Sequence, residues 1–245
     1  MANGFDPRVG ATPRPTTIGG TASIAVDAGL RSYMLSVYNY MASGVLLTGI
    51  VALLFARSGI AETILFGPGL LKYVIMLSPL AFVMVLSFGI NRLSTGTAQL
   101  LFWLFAAVMG LSMASIFFRF TGPSIAVTFF ATSAAFVSLS LWGYTTKRDL
   151  SGFGTFLIMG VIGLLVAMLL NLWLQSPAMT LAISAIGVLL FAGLTAYDTQ
   201  RIKSLYFQVA GSDMIGKTVI MGALSLYLDF VNMFTFLLQF MGDRR

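Results

Sequence analysis

Histidine and cysteine are both absent from the 245 residues, and acidic side chains number only eight. Without cysteine there are no disulfides, no thiolate metal sites and no cysteine nucleophile. Without histidine there is no imidazole base, no ordinary zinc site and no side chain that titrates near neutrality unaided. Any proton sensing therefore falls to Asp6, Asp27, Glu62, Asp149, Asp198, Asp213, Asp229 and Asp243. Charge of either sign is scarce, at 9% of the chain, while hydrophobic residues make up 58%. A soluble domain carries about a quarter charged residues. A surface this poor in charge cannot be wetted all round, so lipid must be the solvent for most of it. No Walker-type phosphate loop, zinc-protease helix motif or dinucleotide fingerprint occurs, and no tightly bound cofactor is expected.

Long apolar runs fill the space these absences leave, and mean hydropathy is +0.93. After a polar stretch, residues 1–32, which lacks the apolar run of a signal peptide and reads as a flexible tail, seven runs follow. They cover Tyr33–Ala56, Leu71–Ile90, Ala98–Phe118, Ser124–Tyr144, Gly152–Leu174, Ala178–Ile202 and Thr218–Met241. Each meets the length of about 20 residues that a membrane span requires. In hydrocarbon every backbone group must be satisfied within the segment, so helices are required, and unbroken apolar runs exclude a barrel. The fold class is an all-α membrane protein, a seven-helix transmembrane bundle occupying residues 33–245. Tight turns at Thr121-Gly122-Pro123 and Gln175-Ser176-Pro177 make neighbouring helices antiparallel.

Orientation follows from the basic residues. With the N-terminus cytoplasmic, the inner segments hold Arg8, Arg14, Arg31, Arg92, Lys147, Arg148, Arg201, Lys203 and Lys217, and the outer ones Arg57, Lys72, Arg119, Arg244 and Arg245. The excess on one side predicts N-inside and C-outside. The same scatter among short loops argues against a nucleic-acid partner despite the net charge of +6. Ala106, Gly110 and Ala114 recur every fourth position in the third run, the spacing of a close helix–helix seam.

Six carboxylates lie in tails or loops; Asp198 and Asp229 do not. An ionisable group at membrane depth is costly and marks a functional site by default. If the sixth helix continues to about Gln208 and the seventh begins near Thr218, both aspartates lie roughly 15–17 Å in from the same side. If the sixth stops at Lys203, Asp198 lies near the interface and the pairing weakens. Facing carboxylates in low dielectric resist double ionisation and would share a proton, a sensor that needs no histidine. Ionised, the pair would offer oxygen ligands to a hard cation such as calcium. Ser225 and Asn232 share a helix face with Asp229 and add polar groups beside it. Arg92, at the end of the second span, is the candidate counter-charge that would bridge to Asp198 and latch a closed pore; it could equally snorkel to lipid phosphate.

Three stretches together resemble the Bax inhibitor-1 family, the transmembrane Bax-inhibitor-motif proteins: Ala196-Tyr197-Asp198-Thr199-Gln200-Arg201-Ile202, Ser225-Leu226-Tyr227-Leu228-Asp229-Phe230-Val231-Asn232, and Ser87-Phe88-Gly89-Ile90-Asn91-Arg92. The resemblance covers Tyr33 to Met241. It implies a seven-helix fold and a pH-sensitive calcium leak in which Asp198 and Asp229 form the proton-sensing pair, Tyr197, Ser225 and Asn232 support it, and Arg92 is the latch partner. It also implies links to cell-death suppression and, in bacteria, to a membrane-bound AAA protease, and the chain looks like a bacterial inner-membrane member. Two rival functions are an interaction protein that modulates such a protease and, as an enzyme, an intramembrane aspartyl protease. The last carries Gly-x-Gly-Asp at its second aspartate, whereas Leu226-Tyr227-Leu228 precedes Asp229 here, so no enzymatic activity is expected.

Overall fold

The computed structural model describes residues 18–245, with side chains from Asp27 onward. The helices in chain order are α1 (Ile18–Arg57), α2 (Ala61–Phe66), α3 (Leu71–Gly89), α4 (Thr95–Met113), α5 (Ile116–Arg119), α6 (Gly122–Thr145), α7 (Ser151–Leu174), α8 (Pro177–Val209) and α9 (Ile215–Met241). Seven spans are long and apolar enough to cross a membrane, with α4 and α5 together forming one of them. Local chemistry fixes the ends. Ser94 caps α4 by accepting the Thr97 N–H at 3.1 Å, and Ser176 caps α8 through Met179 with Pro177 in the first turn. Gln175 closes α7 in the left-handed region at φ 46°, which permits the abrupt reversal into α8.

Two boundaries differ from the sequence expectation. The sixth span does not stop at Ile202: α8 runs to Val209, because Ile202 and Tyr206 are buried and the Tyr206 ring packs on Tyr33 of α1 at 5.4 Å. The helix beyond the charged pair Arg201 and Lys203 thus has a protein surface to rest on. Likewise α1 begins at Ile18 rather than at Tyr33, and Leu30 is buried in the core. Of the expected tail, residues 1–17 lie outside the described residues.

The seven spans look alike in hydropathy but not in burial. Of the most apolar window in α9, 72% is buried, against 11–28% in the other six. It is the central helix, packed chiefly on α8 and then on α1, α6 and α4, while α3 leans on α4 and α7 on α8. Around it Phe102 and Phe105 each meet Tyr227 edge to face, as Phe136 meets Phe230.

Glycine sets two of the closest approaches. A Cβ on Gly110 would stand 2.7 Å from the Thr48 carbonyl oxygen and 2.8 Å from Val51 Cβ, so the Ala106–Gly110–Ala114 seam is where α4 meets α1. A Cβ on Gly143 would run into the Ala196 carbonyl, which makes α6 and α8 touch backbone to backbone. Replacing Gly143 by Val therefore forces the helices apart and destabilises the protein by about 1–3 kcal/mol. Thermal unfolding in detergent should show this loss for Gly143→Val and little change for Gly163→Ala, where nothing lies within 4 Å.

A candidate carboxylate site between α8 and α9

Asp198 and Asp229 sit on adjacent antiparallel helices. Val209 lies eleven positions beyond Asp198, and Ile215 lies fourteen before Asp229. Both ends are on the face from which α1 starts, so the carboxylates lie about 16 and 21 Å in from it, within one helical turn of the same depth. Their charges are close enough to act on each other, and the positive charge that acts on Asp198 is that of Arg201, one turn along α8, without a direct ion pair among the described residues. Asp229 is 4% exposed, and its Oδ2 has no hydrogen-bond partner among the described residues. A buried acceptor without a donor is rare and expensive. It marks the point where a proton, a water or a cation has something to gain.

The other residues singled out by sequence are placed as follows. Arg92 is exposed in the turn after α3, its backbone N–H donating to Gly89 O at 2.8 Å. Asn232 is half-buried and donates from Nδ2 to the Leu228 carbonyl at 2.9 Å, and Ser225 is half-buried one turn before Asp229. Tyr197 turns toward α7, where its ring fills the space left by the missing Cβ of Gly154. Among the described hydrogen bonds, none joins Tyr197, Ser225 or Asn232 to either carboxylate.

Both helices are held rigidly at the site. On α8, Thr195 and Thr199 are fully buried; each returns its hydroxyl to the carbonyl four residues earlier at 2.8 Å, and Thr199 also reaches Ser140 of α6 at 3.3 Å. On α9, the Tyr227 hydroxyl lies 2.6 Å from Thr48 Oγ1, which itself donates to Ala106 O at 2.8 Å. Because the single threonine proton is committed to Ala106, Tyr227 must be the donor. One chain of two bonds thus pins α9, α1 and α4 together two residues before Asp229.

Gln200 is a further positioning residue in this segment that sequence reasoning left unassigned. Its Nε2 donates to Arg148 O at 2.8 Å, and its Oε1 accepts the Leu150 N–H at 2.9 Å. Lys203 adds a bond from Nζ to Tyr144 O at 2.8 Å and sits 4.7 Å from that residue's ring centroid. The Asp198 segment of α8 thereby carries the α6–α7 connection. Within that connection Asp149 accepts the Ser151 N–H at 2.9 Å, and its bonds to Ser151 hold its carboxyl below the usual carboxylate range.

Among the described residues no three acidic groups come together to hold a metal. Calcium takes six to eight oxygen ligands, so a cation meeting this pair would keep water or backbone oxygens. Two carboxylates suit transit better than storage.

The family model described as inhibitor of apoptosis-promoting Bax1 matches residues 30–245. The inner membrane protein YbhL of Escherichia coli K12 is 47% identical over 220 residues, covering 89% of this chain and 94% of that protein. An uncharacterized protein of Rickettsia prowazekii is 46% identical over 220 residues (89% and 92%), and one of Caulobacter vibrioides is 45% identical over 236 residues (91% and 93%). With the seven spans, these likenesses make the chain a multi-pass integral protein of a bacterial inner membrane.

Two predictions follow from the scaffold. Gln200→Ala should raise amide hydrogen exchange of residues 146–150 severalfold while leaving α9 protected. Tyr227→Phe should cost about 1 kcal/mol in thermal unfolding, the usual worth of a buried hydroxyl bond, since Thr48 keeps its bond to Ala106.

Proposed function

This chain belongs to the Bax inhibitor family, and from that premise we propose that it is a pH-sensitive calcium leak pathway of the inner membrane, gated by the Asp198–Asp229 pair. The observation that carries the reading is Asp229: a carboxylate on the central helix, 4% exposed, with an oxygen that nothing satisfies and a second carboxylate within reach of its charge. A merely structural contact at this position would be made by an apolar side chain at lower cost. An intramembrane carboxylate with a named electrostatic partner is instead what proton-coupled ion pathways use.

The gate works through charge. With α1 starting in the cytoplasm, the pair is reached from the cytoplasmic side. Ionised, Asp198 is favoured by the positive charge of Arg201 on its own helix, with Arg92 as the candidate partner for a latched state. Acidification neutralises the pair, and with it the attraction by which a latched Arg92 would hold α8 to the end of α3. The sign is therefore more leak at lower pH. Calcium is the cargo, passing carboxylate oxygens that are too few to retain it.

Proteoliposomes loaded with a calcium indicator test this directly. Wild-type flux should rise severalfold on acidification, Asp198→Asn and Asp229→Asn should flatten the pH response, and Arg201→Gln should raise the leak at neutral pH. Wild-type pH dependence retained by both aspartate variants would remove the mechanism.

A further inference from the structure

Helices α1 and α6 both rest on α9 but barely on each other. Between them lies a cavity of about 630 Å³ that runs along α1 from Arg31 to Val45 and along α6 from Phe129 to Tyr144. A second cavity of about 330 Å³ continues it toward the opposite face, sharing Val45, Phe129 and Phe230. Fourteen residues of α1 separate Arg31 from Val45, so the larger cavity is about 21 Å long. Half of a hydrocarbon core is about 15 Å. The slot therefore matches one leaflet plus its headgroup layer, the length of a single phospholipid.

Its chemistry changes along that length. The deep part is apolar, floored by Phe136 and Phe230. The mouth carries one cation and a hydroxyl: Arg31 is exposed there and Tyr144 forms the opposite rim, its carbonyl held from behind by Lys203 of α8 at 2.8 Å. Asp27, one turn further out on α1, lies beyond the slot. A basic pocket between transmembrane helices at headgroup depth is the pattern that binds anionic lipid headgroups. A partner helix would be about 10 Å across with its side chains, and an apolar one would gain nothing from the Arg31 cation at one end.

We propose that the α1–α6 slot binds one anionic phospholipid, an acyl chain lying against Phe136 and Phe230 and the headgroup phosphate at Arg31. The site adjoins the carboxylate pair on both sides. Phe230 directly follows Asp229, and Ser140 in the slot wall takes the hydroxyl bond of Thr199, which directly follows Asp198. A lipid seated here fills the gap between two helices that barely touch and backs the segments that carry both aspartates. The binding site stands independently of whether those aspartates gate calcium.

Native mass spectrometry of the full chain in detergent, titrated with dioleoylphosphatidylglycerol or dioleoylphosphatidylcholine, tests the assignment. The wild type should retain the phosphatidylglycerol severalfold better. Arg31→Gln should reduce that retention to the phosphatidylcholine level, and Ala42→Trp or Val137→Trp, which fill the slot from either wall at exposed positions, should diminish both. Thermal unfolding confirms that each variant is folded, and Arg31→Gln, changing an exposed side chain only, preserves the test should a tryptophan variant not be. Equal retention of the two lipids by the wild type, undiminished retention by Arg31→Gln, or a second copy of the chain held in the slot would overturn the proposal.

Discussion

A carboxylate held inside the helix that lipid touches least is the constraint around which this bundle is organised. Desolvating an ionised group is expensive, and leaving one of its oxygens without a donor adds to that expense. Such a group survives only where its surroundings are fixed by other interactions. Asp229 is in that situation: the helix that bears it is enclosed on four sides, and the charge that acts on it is that of another acid rather than a base. The pairing of like groups, not of opposite ones, distinguishes the site from a structural salt bridge.

The remainder of the molecule holds the two helices in register. Small residues let backbones touch at Gly143 and Gly110, so α8 and α1 cannot slide without a collision. Hydroxyls supply the polar contacts that hydrocarbon would otherwise forbid, mostly by returning to carbonyls within their own helix, and near the pair by crossing between helices, Thr199 to Ser140, Tyr227 to Thr48 and Thr48 to the Ala106 carbonyl. The amide of Gln200 then extends this order to the α6–α7 connection. Rigidity is concentrated on the side of the pair facing α6, α7 and α4. The side between α1 and α6 is open, and lipid is the material available to fill it.

The spans were legible because hydrocarbon enforces length and apolarity on each, and apart from the start of α1 and the end of α8 their observed ends fall close to the runs read from sequence. Asp198 and Asp229 were legible for the converse reason, as ionisable residues inside apolar runs. Other features were not. All seven runs have similar hydropathy, so nothing in α9 announced that it is central rather than lipid-facing. The extension of α8 past Arg201 and Lys203 depends on Tyr206 finding Tyr33, a contact across the fold. Gln200 bonds to backbone atoms some fifty residues away, which no side-chain pattern encodes. The charge acting on Asp198 is that of Arg201 on the same helix, whereas the sequence motif drew attention to Arg92, which is exposed in the turn after α3.

The central claim is energetic: the two carboxylates sense each other. A double-mutant cycle on unfolding free energy in detergent, with Asp198→Asn, Asp229→Asn and the double variant, measures that coupling and nothing else. Residues in contact couple by about 0.5–3 kcal/mol, and independent ones add to within about 0.5 kcal/mol. A coupling in the first range, larger at neutral pH than in acid, is the predicted result. Strict additivity at every pH would mean that the aspartates are strangers in the membrane, and the account would fail.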